Sequence, residues 1–382
     1  MTDVFWLPSW YPSIESPQNG DFIYRHGLSC SSLANIKLLF VQSTSQVNKL
    51  KILKRNNPNF TEQVVLFPSH KLRCINFIYY LYYSRQFFKR LYHRNSLPQI
   101  VHVHVSYKAG IIALWLKYKY RLPYLITEHW SYFNTQNANS FSKSNFVKKF
   151  LFRLIFKNAA GVIPVSSNLG DHLRSFFPDI TTTIIPNVVD CELFNFGKQC
   201  APKSVFKFIH VSSMAPLKNP LSIIRTFNKL RLKYTYLELV LIGPITQSLI
   251  EQLTIEQQLN DSIHIKGSVS HDLVASEMQK SNASILFSQY ENLPCVVAES
   301  LCSGVPVISS AVGGIPEMLD EFNGILVPSG DEEALYNAME AMVLNYAQFD
   351  RKKISEDAQA KYNPEIVGRQ IVAVYEKVLL NK

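Results

Sequence analysis

The chain has 382 residues, 47% hydrophobic and 18% charged, which excludes a disordered polypeptide and suits two globular domains better than one. Its net charge of +10 is lopsided: residues 1–200 carry 23 Lys and Arg against 9 Asp and Glu, and residues 201–382 carry 16 against 20. Six cysteines without a C-x-x-C pair exclude a disulfide framework and a cysteine zinc site, so a reducing, cytoplasmic compartment is expected.

The first half alternates apolar runs with helical stretches. Strands are predicted at Val4–Leu7, Ile36–Gln42, Ile100–Val105, Tyr124–Thr127 and Gly161–Val165. Behind the first strand runs Trp10-Tyr-Pro-Ser-Ile-Glu-Ser-Pro-Gln-Asn-Gly20, a loop with two prolines that ends on a glycine. From Gln63 to Gly170 the sole acidic side chain is Glu128, while Lys and Arg interleave with aromatics. Within that stretch Arg85 and Lys89 lie one helical turn apart, beside an expected apolar stripe of Phe77, Tyr80, Leu81, Phe88 and Leu91. A basic amphipathic helix of this kind suits an anionic membrane surface. No apolar run reaches the ~20 residues that span a bilayer. His102 and His104 alternate along one strand and share a face, but with no third ligand evident they read as structural, and no metal is expected. His129 follows the strand that ends at Thr127.

The second half alternates more regularly, which is the pattern of a parallel sheet with crossover helices. Strands are predicted at Phe206–Val211, Leu237–Ile242, Ser262–Lys266, Ala283–Phe287, Pro306–Ser309 and Gly324–Val327. Helices are predicted at Pro220–Leu232, Gln247–Leu259, His271–Lys280 and Asp331–Asn345, the last opened by a capping box from Ser329 to Glu332. A final helix spans Asn363–Leu380. The polar stretch from Phe194 to Pro202 sets the domain boundary.

Chemistry concentrates at Ser288-Gln-Tyr-Glu-Asn-Leu-Pro-Cys-Val-Val-Ala-Glu299. The loop carries Glu291; a helix with Pro294 as its first residue follows and closes at Gly304. Its amide end suits a pyrophosphate. Glu291 and Glu299 could each accept hydrogen bonds from vicinal hydroxyls; alone, they also read as acids favoured near a helix N-terminus. Asp190-Cys-Glu192 belongs to the turn after Pro186 and is not read as a metal motif. No G-x-G-x-x-G and no P-loop occurs.

With Pro186-Asn-Val-Val-Asp190, Val211-Ser-Ser-Met-Ala-Pro-Leu-Lys218, Leu241-Ile-Gly243-Pro, Ile265-Lys-Gly267-Ser-Val and Gly313-Gly-Ile-Pro-Glu317, this segment resembles glycosyltransferase family 4 from about residue 160 to 330. The resemblance implies a GT-B fold: two doubly wound α/β, Rossmann-like domains facing across a cleft. Residues 1–195 would form the acceptor domain, 196–362 the nucleotide-sugar domain, and 363–382 a helix packing back towards the first. It implies a retaining, metal-independent hexosyltransferase without cofactor, using a UDP- or GDP-sugar as co-substrate. The acceptor would be a saccharide, lipid-linked, in cell-surface polysaccharide assembly on the inner face of the membrane; nucleic acid is not an expected partner.

By resemblance, His129 would contact the transferred sugar, Lys218 the diphosphate, Glu291 the sugar hydroxyls and Glu299 the ribose. Gly20, Ser213, Gly243, Gly267, Ser268, Val269, Asn292, Leu293, Pro294, Cys295 and Val296 would complete the donor site. One departure stands out. The family places an arginine where this chain has Ser213, and Arg25 is a candidate substitute. Two alternatives stay open, a nucleotide-sugar epimerase on the same architecture and a non-catalytic membrane-surface binder.

Overall fold

The computed structural model describes residues 1–14, 19–93, 96–134, 140–197, 204–255 and 259–381. Glu15, Ser16, Pro17 and Gln18 of the first loop, and residues 198–202 of the expected boundary stretch, lie outside them. The chain divides into two units, residues 1–188 with 364–382, and residues 189–363. The sequence places those cuts after 195 and 362.

Unit 1 begins β1 (Thr2–Pro8), α1 (Asp21–Cys30), β2 (Ala34–Thr44), β3 (Lys51–Asn57), β4 (Phe60–Pro68) and α2 (Arg73–Leu91). It continues β5 (Ile100–His104), α3 (Ser106–Tyr120), β6 (Tyr124–Glu128), α4 (Phe146–Asn158), β7 (Gly161–Pro164) and α5 (Ser167–Phe176). Its sheet runs β3-β4-β2-β1-β5-β6-β7, parallel except for β3, which pairs antiparallel with β4. β3 and β4 are absent from the sequence reading. β3 is exposed along nearly its whole length, so it shows no alternation and rests on its backbone ladder at the edge. β4 carries Glu62 and Gln63 inside, at 3% and 7% exposure, which breaks the apolar signal.

Unit 2 comprises β8 (Phe206–Val211), α6 (Pro220–Arg231), β9 (Leu237–Ile242), α7 (Gln247–Ile255), β10 (Ile263–Ile265) and α8 (His271–Gln279). It ends with β11 (Ala283–Leu286), α9 (Cys295–Cys302), β12 (Val307–Ser310), β13 (Gly324–Val327), α10 (Glu332–Leu344) and α11 (Arg351–Tyr362). The six strands are parallel in the order β10-β9-β8-β11-β12-β13, over a core that includes Phe208, Ile223, Phe227, Leu239 and Ile285. The expected helix 247–259 is described only to residue 255. α11 is an addition: its polar sequence, with just four buried side chains, hides its period.

Two expected helix starts are corrected. Asp331, not Ser329, caps α10 by accepting from the Ala334 amide at 2.9 Å, while Ser329 Oγ donates to the Ser288 carbonyl at 3.1 Å. Asp331 is the last oxygen-bearing side chain before the helical turn and reaches the third amide from there. Pro294 is the N-cap of α9, with extended backbone, and Cys295 is its first helical residue. The other end matches expectation: Gly304 takes φ +68, and the Val305 amide reaches back to the Ser300 carbonyl at 2.9 Å.

The last helix, α12 (Pro364–Leu380), belongs to unit 1. Gly368 permits its close approach to α1, since a Cβ there would stand 2.1 Å from the Ser29 carbonyl oxygen. Tyr375 of α12 ties into β5 through its hydroxyl, 2.6 Å from His102 Nδ1.

The expected apolar stripe of α2 faces inward. Tyr80 and Phe88 are buried, Phe77, Leu81 and Leu91 are half-buried, and Arg85 lies over the Trp115 ring. Packing against the sheet therefore accounts for that stripe. Among the described residues no helix is long and apolar enough to cross a membrane.

Candidate functional site

In unit 2 the strand order reverses between β8 and β11: β9 and β10 extend one way, β12 and β13 the other. In such sheets ligands bind beyond the carboxyl ends of the strands at the reversal. Lys218 leaves β8 and Glu291 leaves β11, and their side chains form an ion pair, 19% and 11% exposed. Ser288 Oγ donates to the same Glu291 oxygen at 2.8 Å. The two loops are zipped together by the Gln289 amide on the Leu217 carbonyl, 2.8 Å, and by Asn219 Nδ2 on the Phe287 carbonyl, 3.0 Å.

Glycines set the backbone around this pair. Gly313 has φ +56, and a Cβ there would stand 1.8 Å from the Glu291 carbonyl oxygen. The Gly314 amide donates to the Asn292 carbonyl at 2.7 Å, so the loop after β12 fastens the Glu291 loop from behind. Gly243 lies against Ser212, where a Cβ would meet the carbonyl at 1.9 Å, and its amide donates to the Gly267 carbonyl at 2.9 Å. Thus Gly243, Gly267, Lys218, Glu291 and Gly313 all sit on loops from the carboxyl edge of one sheet.

α9 starts there without a side-chain cap, and its N-cap proline has no amide hydrogen to contribute. Glu299, in its second turn, is 6% exposed. Leu293 is buried; Asn292, Pro294, Cys295, Val296 and Val269 are half-buried; Ser213 and Ser268 are exposed. The arrangement offers a cation, a carboxylate and an uncapped helix start, a set suited to a polyhydroxylated anion. A cavity of about 540 Å³ in unit 2 lies away from it, lined by Leu301, Met318, Phe322 and Tyr362.

In unit 1 the corresponding reversal lies between β1 and β5. Gly20, φ +74, lies against Trp10, whose carbonyl atoms are 2.9 Å from where a Cβ would be. Arg25 pairs with Asp21 at 3.0 Å on α1. Glu128 is wholly buried; its carboxylate accepts from the Ser106 amide and hydroxyl and from the His129 and Trp130 amides. Burial raises its pKa, and those hydrogen bonds oppose the rise.

His129 Nδ1 lies 3.1 Å from Asn187 Oδ1. The expectation that His104 has no further ligand partners needs correction. One ring nitrogen each from His26, His104 and His129 lies within 4.8 Å of the others, while His102 is taken by Tyr375 and by Thr127 Oγ1 at 2.6 Å. Burial holds these imidazoles neutral, with His26 lowered to about 4 and His102 to about 3. Neutral imidazoles can ligate a transition metal, whose bonds of about 2.0–2.1 Å would draw the nitrogens to roughly 3.3 Å apart. His26 and Asn187 went unassigned from sequence because their partners are distant in the chain. Asp190 serves as a turn cap, accepting from the Glu192 and Leu193 amides.

A family profile described as "Glycosyl transferases group 1" matches residues 194–361, and one described as "Glycosyltransferase Family 4" matches residues 50–193. An uncharacterized glycosyltransferase of Methanocaldococcus jannaschii is 23% identical over 73% of this chain and 75% of its own length. The phosphatidylinositol N-acetylglucosaminyltransferase gpi3 subunit of Schizosaccharomyces pombe is 24% identical over 60% of this chain and 51% of its own. A putative colanic acid biosynthesis glycosyltransferase, WcaL, of Salmonella typhimurium is 23% identical over 59% of each. Among solved structures, sucrose-phosphate synthase from Thermosynechococcus elongatus superposes over 100% of both chains with TM-score 0.80 and 20% identity. Anabaena HepE in complex with UDP does so over 99% of this chain and 100% of its own, with TM-score 0.74 and 14% identity.

Proposed function

The chain belongs to the family 4 glycosyltransferases with the GT-B fold, and on that premise we propose that it transfers a sugar from a nucleoside-diphosphate sugar to a lipid-linked saccharide, with retention of configuration. The observation that carries this reading is the Lys218–Glu291 pair at the β8/β11 reversal. A UDP-sugar is the favoured donor, since HepE, alike in fold, was solved with UDP. A lipid-borne acceptor and a place in surface-polysaccharide assembly fit the names of the gpi3 subunit and WcaL.

Transfer breaks the bond between the anomeric carbon and the diphosphate oxygen. Negative charge gathers on the leaving oxygen and positive character on the sugar. In this reading Lys218 and the amide end of α9 stabilise the leaving diphosphate, without a divalent metal. Glu291 accepts from sugar hydroxyls, Glu299 from the ribose, and the backbone of Gly267, Ser268 and Val269 meets the base. His129 contacts the transferred sugar. The ion pair holds Lys218 and Glu291 in place before the donor arrives, which lowers the ordering cost of binding. With Ser213 exposed in the arginine's place, Lys218 carries the diphosphate charge from the β8 loop.

A thermal-shift screen with UDP-, GDP- and ADP-sugars tests this, because a ligand of the folded state raises the melting temperature. One nucleotide class should stabilise the protein and lose that effect in Lys218→Ala. Equal, negligible shifts with all three would refute the reading.

A further inference from the structure

α4 presents an outward face that the unit 1 core leaves uncovered. Phe146, Phe150, Arg153 and Lys157 recur at helical spacing along that face, opposite the buried Phe152, Ile155 and Phe156. Phe146 is 77% exposed, Val147 73% and Phe150 58%. Single exposed apolar side chains are ordinary, but three within five residues form a patch. The helix holds Lys148, Lys149, Arg153 and Lys157 and no acid.

Its surroundings are equally one-sided. Between Gln63 and Gly170 the one acid, Glu128, spends its charge on buried amides and a hydroxyl, so this stretch puts no described carboxylate on the surface. α4 packs on α3, and its Lys148 lies over the Tyr107 ring of α3 at 5.3 Å and over the Tyr132 and Trp130 rings beyond β6 at 4.2 and 5.9 Å. α3 in turn meets α2, where Lys108 lies over Tyr80. α2, α3 and α4 all run back from the carboxyl edge of the sheet, so their first turns share one end of the unit. An exposed apolar tip flanked by cations has the chemistry of an interfacial anchor for anionic lipid.

We propose that unit 1 docks on anionic bilayers through the first turn of α4, with Phe146, Val147 and Phe150 entering the interface and Lys149 and Arg153 meeting the headgroups. This moves the membrane contact from the inward-facing stripe of α2 to α4. It deepens the lipid-linked acceptor of the proposed function and rests on that reading for the choice of a lipid partner. Binding is read without donor or acceptor, so the two can fail separately.

The test is co-sedimentation of the full chain with vesicles of phosphatidylcholine alone or mixed with phosphatidylglycerol, at low and raised salt. Wild type should bind the anionic vesicles at least ~10-fold better than the neutral ones. The variant Phe146→Ser with Phe150→Ser should lose at least ~10-fold of that binding, and Lys149→Glu with Arg153→Glu should lose as much. Both variants should keep the wild-type melting temperature and its nucleotide-sugar shift, which shows that they fold. No binding by wild type, binding unaltered in the Phe variant, or equal affinity for a single-stranded RNA would each overturn the proposal. Vesicle binding that persists without any nucleotide-sugar shift would instead count against the transferase reading.

Discussion

The two units solve the same problem at opposite ends of a dielectric range. Unit 2 places a cation and a carboxylate side by side near solvent, at the reversal of its sheet, within loops that the sequence spells out as short motifs. Unit 1 buries four imidazoles and Glu128 from elements far apart in the chain, and keeps the imidazoles uncharged. A charge pair is thus kept ready at the reversal of one sheet, while the buried imidazoles of the other unit stay neutral.

Acid should separate the units most strongly. The unfolded chain protonates its histidines near the ordinary 6.5, whereas His26 waits until about 4, His102 until about 3, and His104 and His129 until well below the ordinary value. The unfolded state therefore binds more protons as pH falls below 6.5. The contribution of these groups is intact above 6.5 and is lost progressively as pH falls, through about 4 for His26 and about 3 for His102. His26 alone accounts for about 3 kcal/mol of it. In unit 2 His210 behaves alike, falling to about 4. All four tryptophans lie in unit 1, so their fluorescence follows that unit alone. It should report unfolding at a higher pH than a unit 2 probe does; simultaneous unfolding would erase the contrast.

Next in size is the charge pair. Lys218→Ala or Glu291→Ala should each lower kcat/KM for transfer by at least ~100-fold with the tryptophan signal unmoved. Gly313→Ala comes third. Its Cβ would strike the Glu291 carbonyl from a left-handed backbone, so unit 2 should lose about 1–3 kcal/mol, and donor affinity should fall with it. Smallest is the cap of α10: Asp331→Ala should cost about 1 kcal/mol by denaturant unfolding. Ser329→Ala should cost less, and the reverse order would restore the capping box.

Legibility from sequence follows the same divide. β8, β9 and β13 are readable to the residue because each is a mostly apolar stretch between turn residues. The Glu291 loop was readable because its neighbours in space are neighbours in sequence or sit at recurrent strand ends. β3 was not, since an exposed edge strand has no inward side chains to set a period. Nor was the union of His26, His104 and His129: one lies on a helix and two on or after strands β5 and β6, and only folding brings them together. Pro294 shows a finer limit. Its place beside a helix was plain, but N-cap and first turn differ by one residue in backbone angle alone.

A crystal structure of the full chain with an intact nucleotide sugar addresses the central claim most directly. The diphosphate should lie between Lys218 and the start of α9, with a sugar hydroxyl on Glu291 and the ribose on Glu299. A donor bound elsewhere, for instance in the 540 Å³ cavity beside Phe322, with Lys218 and Glu291 still paired and untouched, would contradict the account.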